Sequence, residues 1–177
     1  MRRKAVFLDR DGVLNRAVVK DGRPYPPASV EEVEILPGVT EALQRLKDAD
    51  FVLIVVSNQP DVGKGATPKA TVEEINDYLA KRMPIDCFIM CYHDSDDGCD
   101  CRKPNPGMLF ARAQGFDVDL ASSYMVGDRW RDVEAGISAG CKTIFIDYGY
   151  NEKQPKSTDF RVCSLVEATQ IILGETK

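Results

Sequence analysis

Short apolar runs recur along the chain with amphipathic stretches between them, and no other feature narrows the available folds so far. Ala5-Val6-Phe7-Leu8 is apolar at successive positions, as a strand buried on both faces must be. Phe51 to Val56 repeats the pattern more strongly; Phe88-Ile89-Met90, Tyr124-Met125-Val126 and Thr143 to Ile146 are shorter versions. The segments between them read as helices. Leu36-Pro37-Gly38 leads into one that carries Val39, Leu43 and Leu46 on a single apolar face, and Thr67-Pro68 starts another that runs through Ile75, Tyr78 and Leu79. Pro106 to Gln114, Arg131 to Ala139 and Ser164 to Leu173 complete the set. This alternation predicts an α/β fold with a mainly parallel sheet between helical layers. Arg16 to Val30 (with Pro24, Pro26 and Pro27), His93 to Pro106 and Gly149 to Thr158 are expected to be irregular.

At 177 residues the chain suits one domain spanning 1–177. Lys and Arg total 23 against 28 Asp and Glu, a net charge of −5 that argues against a nucleic-acid backbone as main partner. No apolar run reaches the roughly 18 residues of a membrane span. The apolar stretch after Met1-Arg2-Arg3-Lys4 is too short for the core of a signal peptide, so a cytoplasmic protein is expected.

In open α/β sheets ligands sit beyond the carboxyl ends of the strands, so the residues just past each apolar run are the candidates for chemistry. Asp9-Arg10-Asp11-Gly12 stands after the first, Ser57-Asn58-Gln59 after the second, and Gly127-Asp128-Arg129-Trp130-Arg131-Asp132 after the fourth; Arg102-Lys103-Pro104 comes after a cysteine-rich stretch that succeeds the third. Each alone has a plainer reading: Asp-x-Asp-Gly as a turn, Ser57-Asn58 as a helix cap, Gly127-Asp128 as a strand-ending turn, and Lys103 as a solvated lysine. A parallel sheet would gather all four at one edge, and together they suit phosphoryl transfer through an aspartyl-phosphate. Asp9 and Asp128 suit Mg²⁺, which takes one or two carboxylates together with phosphate oxygens. Asp9 is then the nucleophile and Asp11 the general acid and base. Ser57 would bond the phosphoryl oxygens, and Lys103 would balance charge on the transferring group. Asp132 reads equally as a residue orienting the metal site or as a charge on a helix surface.

The order Asp9-x-Asp11, Ser57-Asn58, Lys103 and Gly127-Asp128-x3-Asp132 resembles the four motifs of the haloacid dehalogenase (HAD) superfamily of phosphatases, over about residues 4–147. The resemblance implies a Rossmann-like three-layer sandwich, Mg²⁺ held by Asp9, Asp11 and Asp128, and substrate contacts from Asn58 and Gln59. The short gaps after Asp11 and Ser57 leave no room for a folded cap, which is similar to the capless subclass.

Six cysteines stand at 87, 91, 99, 101, 141 and 163, and the single histidine at 93. Cys91-x-His93 and Cys99-x-Cys101 place paired ligands on one side of extended backbone, with Gly98 in the connector, which predicts a closed, tetrahedral structural zinc site in a loop over about 91–101. Cys87, Cys141 and Cys163 read as small core residues. The stretch Cys91 to Pro104 resembles the zinc loop of the heptose 1,7-bisphosphate 7-phosphatases and of the related histidinol-phosphate phosphatases. Tyr92 stands where that family often has proline, and Pro60-Asp61 where Ser-Gly is usual. The resemblance implies that Arg102 and Arg129 recognise substrate and that Lys103 stabilises the phosphoryl group. The expected activity is phosphate release from a small phosphorylated metabolite, a heptose 1,7-bisphosphate at its 7-phosphate, with histidinol phosphate or another sugar phosphate as the alternative. A zinc-stabilised binding module is the reading from a different class. Oligomeric state is not readable, though a capless domain of this size suits a monomer.

Overall fold

The computed structural model describes residues 2–175. In chain order the strands are β1 (Ala5–Leu8), β2 (Val18–Lys20), β3 (Arg23–Tyr25), β4 (Val52–Asn58), β5 (Cys87–Cys91), β6 (Tyr124–Gly127), β7 (Lys142–Ile146) and β8 (Phe160–Val162). The helices are α1 (Val39–Asp48), α2 (Pro60–Gly63), α3 (Lys69–Ala80), α4 (Gly107–Gly115), α5 (Trp130–Ala139) and α6 (Leu165–Ile172). Six strands form one sheet in the order β5-β4-β1-β6-β7-β8, every pairing parallel.

The continuous apolar runs have the burial they demand: all of β1 and the first six residues of β4 are buried. Successive side chains point to opposite faces of a strand, so each run feeds two cores. Val6, Leu8, Leu53 and Val55 pack with Leu43 and Leu46 of α1, Ile75 and Leu79 of α3, and Leu165 of α6. Ala5, Phe7, Val52 and Ile54 pack on the other face with Met108 and Leu109 of α4 and Ala135 and Ala139 of α5. The result is the three-layer α/β sandwich expected from the pattern. β1 is bonded to both β4 and β6, and the carboxyl ends of these three central strands carry Asp9, Ser57 and Asp128.

The proline-containing segment is not wholly irregular. β2 and β3 form an antiparallel hairpin with register Val18↔Tyr25, Val19↔Pro24 and Lys20↔Arg23. Its turn, Asp21-Gly22, has positive φ at both residues (50° and 73°), the geometry that two-residue hairpins favour. Asp-Gly was therefore the available signal; Pro24 obscured it, being tolerated because a two-stranded ribbon is all edge. The short β8 was also missed, since two of its three residues are exposed. His93 to Pro106 holds only one 3₁₀ turn, Ser95–Asp97. Cys141 is buried as expected and Cys87 is half-buried against the edge of the core, but Cys163 is exposed and so is no core residue. Between Asp11 and α1 there is only the hairpin and a 3₁₀ turn, and between Ser57 and the core helix α3 only the single-turn α2, so no folded cap is present among the described residues. No helix of the described residues is long and apolar enough to cross a membrane.

Candidate active site

The ends of β1, β4 and β6 converge on a cleft of about 340 Å³ lined by Asp9, Asp11, Ser57, Asn58, Lys103, Arg129 and Asp132, among others. The β2–β3 hairpin supplies one wall through Arg23, Pro24 and Tyr25.

Lys103 is the electrostatic centre. Its ammonium is buried and donates to the Val56 carbonyl at 2.6 Å, with Asp132 Oδ1 at 2.6 Å and Asp9 Oδ1 at 3.1 Å. Three acceptors match the three protons of an ammonium. Burial opposes the charge on Lys103, but Asp132 and Asp9 outweigh it and raise the group above its ordinary value. Asp9 Oδ1 also accepts from the Arg10 amide at 2.8 Å. One oxygen of Asp9 is thus doubly held, while Oδ2 has no hydrogen bond among the described residues. Burial pushes the Asp9 carboxyl up to about 6, against the lowering effect of Lys103.

Asp128 is fully buried, and neither carboxylate oxygen has a well-formed hydrogen bond among the described residues, although the Tyr150 hydroxyl comes close enough to lower its carboxyl somewhat. Burial, then the charges of Asp9 and Asp132, hold its carboxyl well above the usual range. Carboxylate oxygens of Asp9, Asp128 and Asp132 lie within 4.8 Å of one another. Asp132 is already committed, Oδ1 to Lys103 and Oδ2 to the Arg129 amide at 3.0 Å. Buried carboxylates left without a donor are costly unless a cation joins them, so Asp9 and Asp128 fit a hard divalent ion. Two glycines make this packing possible. A Cβ on Gly12 (φ +87°) would lie 2.0 Å from Asp128 Oδ2, and one on Gly127 would lie 2.2 Å from Asp132 Cβ. The motif Gly127-Asp128-x3-Asp132 therefore reads as one turn of α5 folding Asp132 back over the glycine.

Asp11 departs from expectation. Its carboxylate is outside the three-carboxylate cluster and is gripped by four donors: Arg10 Nε at 3.1 Å, Arg10 Nη2 at 3.1 Å, Asn15 Nδ2 at 3.0 Å and Gln59 Nε2 at 2.9 Å. Its side chain is thus not placed as an ion ligand, and Asp132 takes the third place in the cluster. Gln59 is buried and also donates to Ser57 Oγ at 3.0 Å, so it positions two site residues instead of meeting substrate. Asn58 lines the cleft and is also structural: its amide donates to the Lys103 carbonyl at 2.9 Å and accepts from the Lys103 amide at 3.0 Å, fastening β4 to the loop that carries the lysine. Arg102 lines the cleft and donates to the His93 carbonyl at 3.3 Å. Arg129 also lines it, and is held by Glu152 through Nε (3.0 and 3.1 Å) and a further Nη2 contact.

Sequence reasoning passed over Arg10, fully buried and linked to Asn76 Oδ1 of α3 at 3.0 Å, because it occupied the x of Asp-x-Asp. It also passed over Asn15 and Glu152, which carry no local signature. Glu152 belongs to a loop that reaches several parts of the site. Tyr148 there donates to the Gly12 carbonyl at 2.9 Å, and the Asn151 amide bonds the Gly22 carbonyl at the hairpin tip at 2.8 Å.

Beside the cleft, ligand atoms of Cys91, His93, Cys99 and Cys101 lie within 4.8 Å of one another. Cys91 Sγ is 3.2 Å from Cys101 Sγ and 3.7 Å from Cys99 Sγ; His93 Nδ1 is 3.2 Å from Cys101 Sγ and 3.5 Å from Cys91 Sγ. Tetrahedral zinc with Zn–S bonds of about 2.3 Å has S···S edges of about 3.8 Å, so the donor set and its size fit. Burial pushes the Cys91 thiol up to about 12, and a metal ion is what would hold it as thiolate at neutral pH.

Comparison with known proteins points the same way. Residues 100–167 match the family model described as HAD-hydrolase-like. The chain is similar to the D-glycero-β-D-manno-heptose-1,7-bisphosphate 7-phosphatase of Bordetella bronchiseptica, 38% identical over 158 residues that cover 85% of this chain and 84% of that protein. The protein of the same name from Escherichia coli K12 is 32% identical over 188 residues, covering 98% and 95%. This chain belongs to the heptose-bisphosphate phosphatase family of HAD hydrolases. Its membership extends to three dimensions. The crystal structure of the B. bronchiseptica D,D-heptose 1,7-bisphosphate phosphatase, complexed with magnesium and phosphate, superposes with a TM-score of 0.82 at 35% identity, covering 98% of this chain and 99% of that one. That relative's structure holds magnesium, and in this chain Asp9 and Asp128 are the carboxylates that would fit such an ion.

Proposed function

We propose that this chain is a Mg²⁺-dependent phosphatase that removes the 7-phosphate of a D-glycero-D-manno-heptose 1,7-bisphosphate through an aspartyl-phosphate on Asp9, with residues 1–177 acting as one domain. The observation that carries this reading is the pairing of a nucleophile held at one oxygen with a buried carboxylate, Asp128, that has no well-formed hydrogen bond among the described residues and only the Tyr150 hydroxyl nearby to ease its charge. Mg²⁺ bound by Asp9 and Asp128 would offset the repulsion between the attacking carboxylate and the phosphate dianion. Lys103 and the Arg10 amide fix Asp9 Oδ1, which leaves Oδ2 to attack phosphorus. As the new O–P bond forms, the bond to the sugar oxygen breaks, and Asp11, turned away from the Arg10, Asn15 and Gln59 donors that hold it here and carrying a proton taken from solvent, delivers that proton to the departing oxygen. Asp11 then takes a proton from water, whose oxygen attacks phosphorus and releases Asp9 as carboxylate. Ser57 at the end of β4 bonds the phosphoryl oxygens. The cluster of Cys91, His93, Cys99 and Cys101 holds structural zinc, which anchors the loop that delivers Arg102 and Lys103.

The test is phosphate release, with Mg²⁺, from a panel that includes both anomers of the heptose 1,7-bisphosphate, the heptose 7-phosphate and histidinol phosphate. Preference for a heptose bisphosphate is expected. Equal, poor rates on all of them would overturn the substrate, and activity surviving in Asp9→Asn would overturn the mechanism.

A further inference from the structure

The cleft continues past the reacting end into a second hollow of about 240 Å³, and Arg102, Lys103 and Arg131 line both. Arg131 is marked by no motif. It sits in the first turn of α5, half-buried, and makes no ion pair with a carboxylate among the described residues. The acidic groups that act on it, Glu152 and Asp132, are already engaged by Arg129 and Lys103. Its guanidinium lies 4.9 Å from the centre of the Trp130 ring, and the like charges of Arg129 and Arg102 bear on it. Arg102, Arg129 and Arg131 meet at this end of the cleft, and two of them, Arg102 and Arg131, are half-buried with no ion pair to a carboxylate among the described residues, so they repel one another in surroundings less polar than water. An anion with several oxygens removes that repulsion, and a planar guanidinium fork matches phosphate geometry.

We propose that Arg131, with Arg102, binds a second phosphate of the substrate where the two hollows join, and so selects sugar bisphosphates over monophosphates. The assignment rests on the proposed function, because it takes Asp9 as the end that receives the first phosphate. Asp9, Asp11 and Lys103 complete the chemistry without Arg131, so its influence belongs to binding.

The experiment compares wild type, Arg131→Gln and Arg131→Lys in steady-state hydrolysis of the heptose 1,7-bisphosphate and the heptose 7-phosphate, which lacks the second anionic group. Losing one charge-assisted contact is expected to lower the preference for bisphosphate over monophosphate, as the ratio of kcat/KM values, by roughly 10- to 100-fold in Arg131→Gln. The loss should be carried by KM, with partial recovery in Arg131→Lys. Equal losses on both substrates, an unchanged ratio, or a loss carried by kcat would overturn the proposal while leaving the functional reading intact. A wild-type protein inert towards both sugars would overturn the functional reading and this assignment with it.

Discussion

Asp9→Asn separates what the site costs the fold from what it does for catalysis. Burial brings the Asp9 carboxyl from its ordinary 3.8 to about 6. The folded chain therefore keeps a proton that the unfolded chain gives up across this window, and stability is lost as pH rises from about 4 to 6. A difference of a little over two pH units corresponds to about 3 kcal/mol, nearly all of it expressed at pH 7. Asparagine resembles the protonated acid and never ionises, so the variant escapes this cost. In Mg²⁺-free buffer the stability of Asp9→Asn relative to wild type should rise by about 2–3 kcal/mol between pH 4 and pH 7. At 2–4 °C per kcal/mol for a chain of this size, that is roughly 4–12 °C in Tm. The measurement is thermal unfolding of both proteins across that range, with Mg²⁺ removed by dialysis so that a chelator does not disturb the cysteine cluster. Comparing the two proteins at each pH cancels the titration of groups remote from Asp9, and relief of Asp128, whose carboxyl the Asp9 charge helps to raise, acts in the same direction. Adding Mg²⁺ at pH 7 should raise the Tm of wild type and leave that of the variant nearly still. A stability gap that does not change with pH, or one that widens in favour of wild type as pH rises, would refute the reasoning.

Lys103→Met strands Asp9 and Asp132 without their shared cation; denaturant unfolding should show a loss of about 3–5 kcal/mol, and phosphate release should fall by at least about 100-fold. Gly12→Ala places a methyl group against Asp128 Oδ2 at a backbone angle that alanine resists; a cost of about 1–3 kcal/mol is expected, together with loss of Mg²⁺-induced stabilisation in thermal melts. Cys99→Ser should cut the zinc content measured by elemental mass spectrometry from one ion per chain to a small fraction, and should make the loop after His93 the first site of limited proteolysis.

The longer helices and the buried strands were legible because their periodicity reports directly on two cores, whereas the four-residue α2 is too short to show one. β1 and β4 are apolar at successive positions, and no alternative element buries such runs so well. β8 and the β2–β3 hairpin were not legible from apolar content, since they lie at edges where side chains face water and only turn chemistry speaks. The gathering of Asp9, Ser57, Lys103 and Asp128 could be read because each comes shortly after an apolar run or a ligand pair, and topology alone brings such ends together. The supporting groups were harder. Gln59 was expected at the substrate but is buried away from the cleft lining, because a side-chain amide beside a strand end serves equally to bond backbone and carboxylates, and adjacency in sequence does not choose between these uses. Arg10 and Glu152 act on partners through contacts that only the folded chain reveals.

The loop from Tyr148 to Glu152 grips the Gly12 carbonyl, the hairpin tip and Arg129 within five consecutive residues. Inserting or deleting one residue there would retune motif, flap and guanidinium in a single step. A lineage drifting towards a new substrate, or an engineer grafting one, has its shortest route through this segment, far along the chain from the aspartates whose chemistry must stay unchanged.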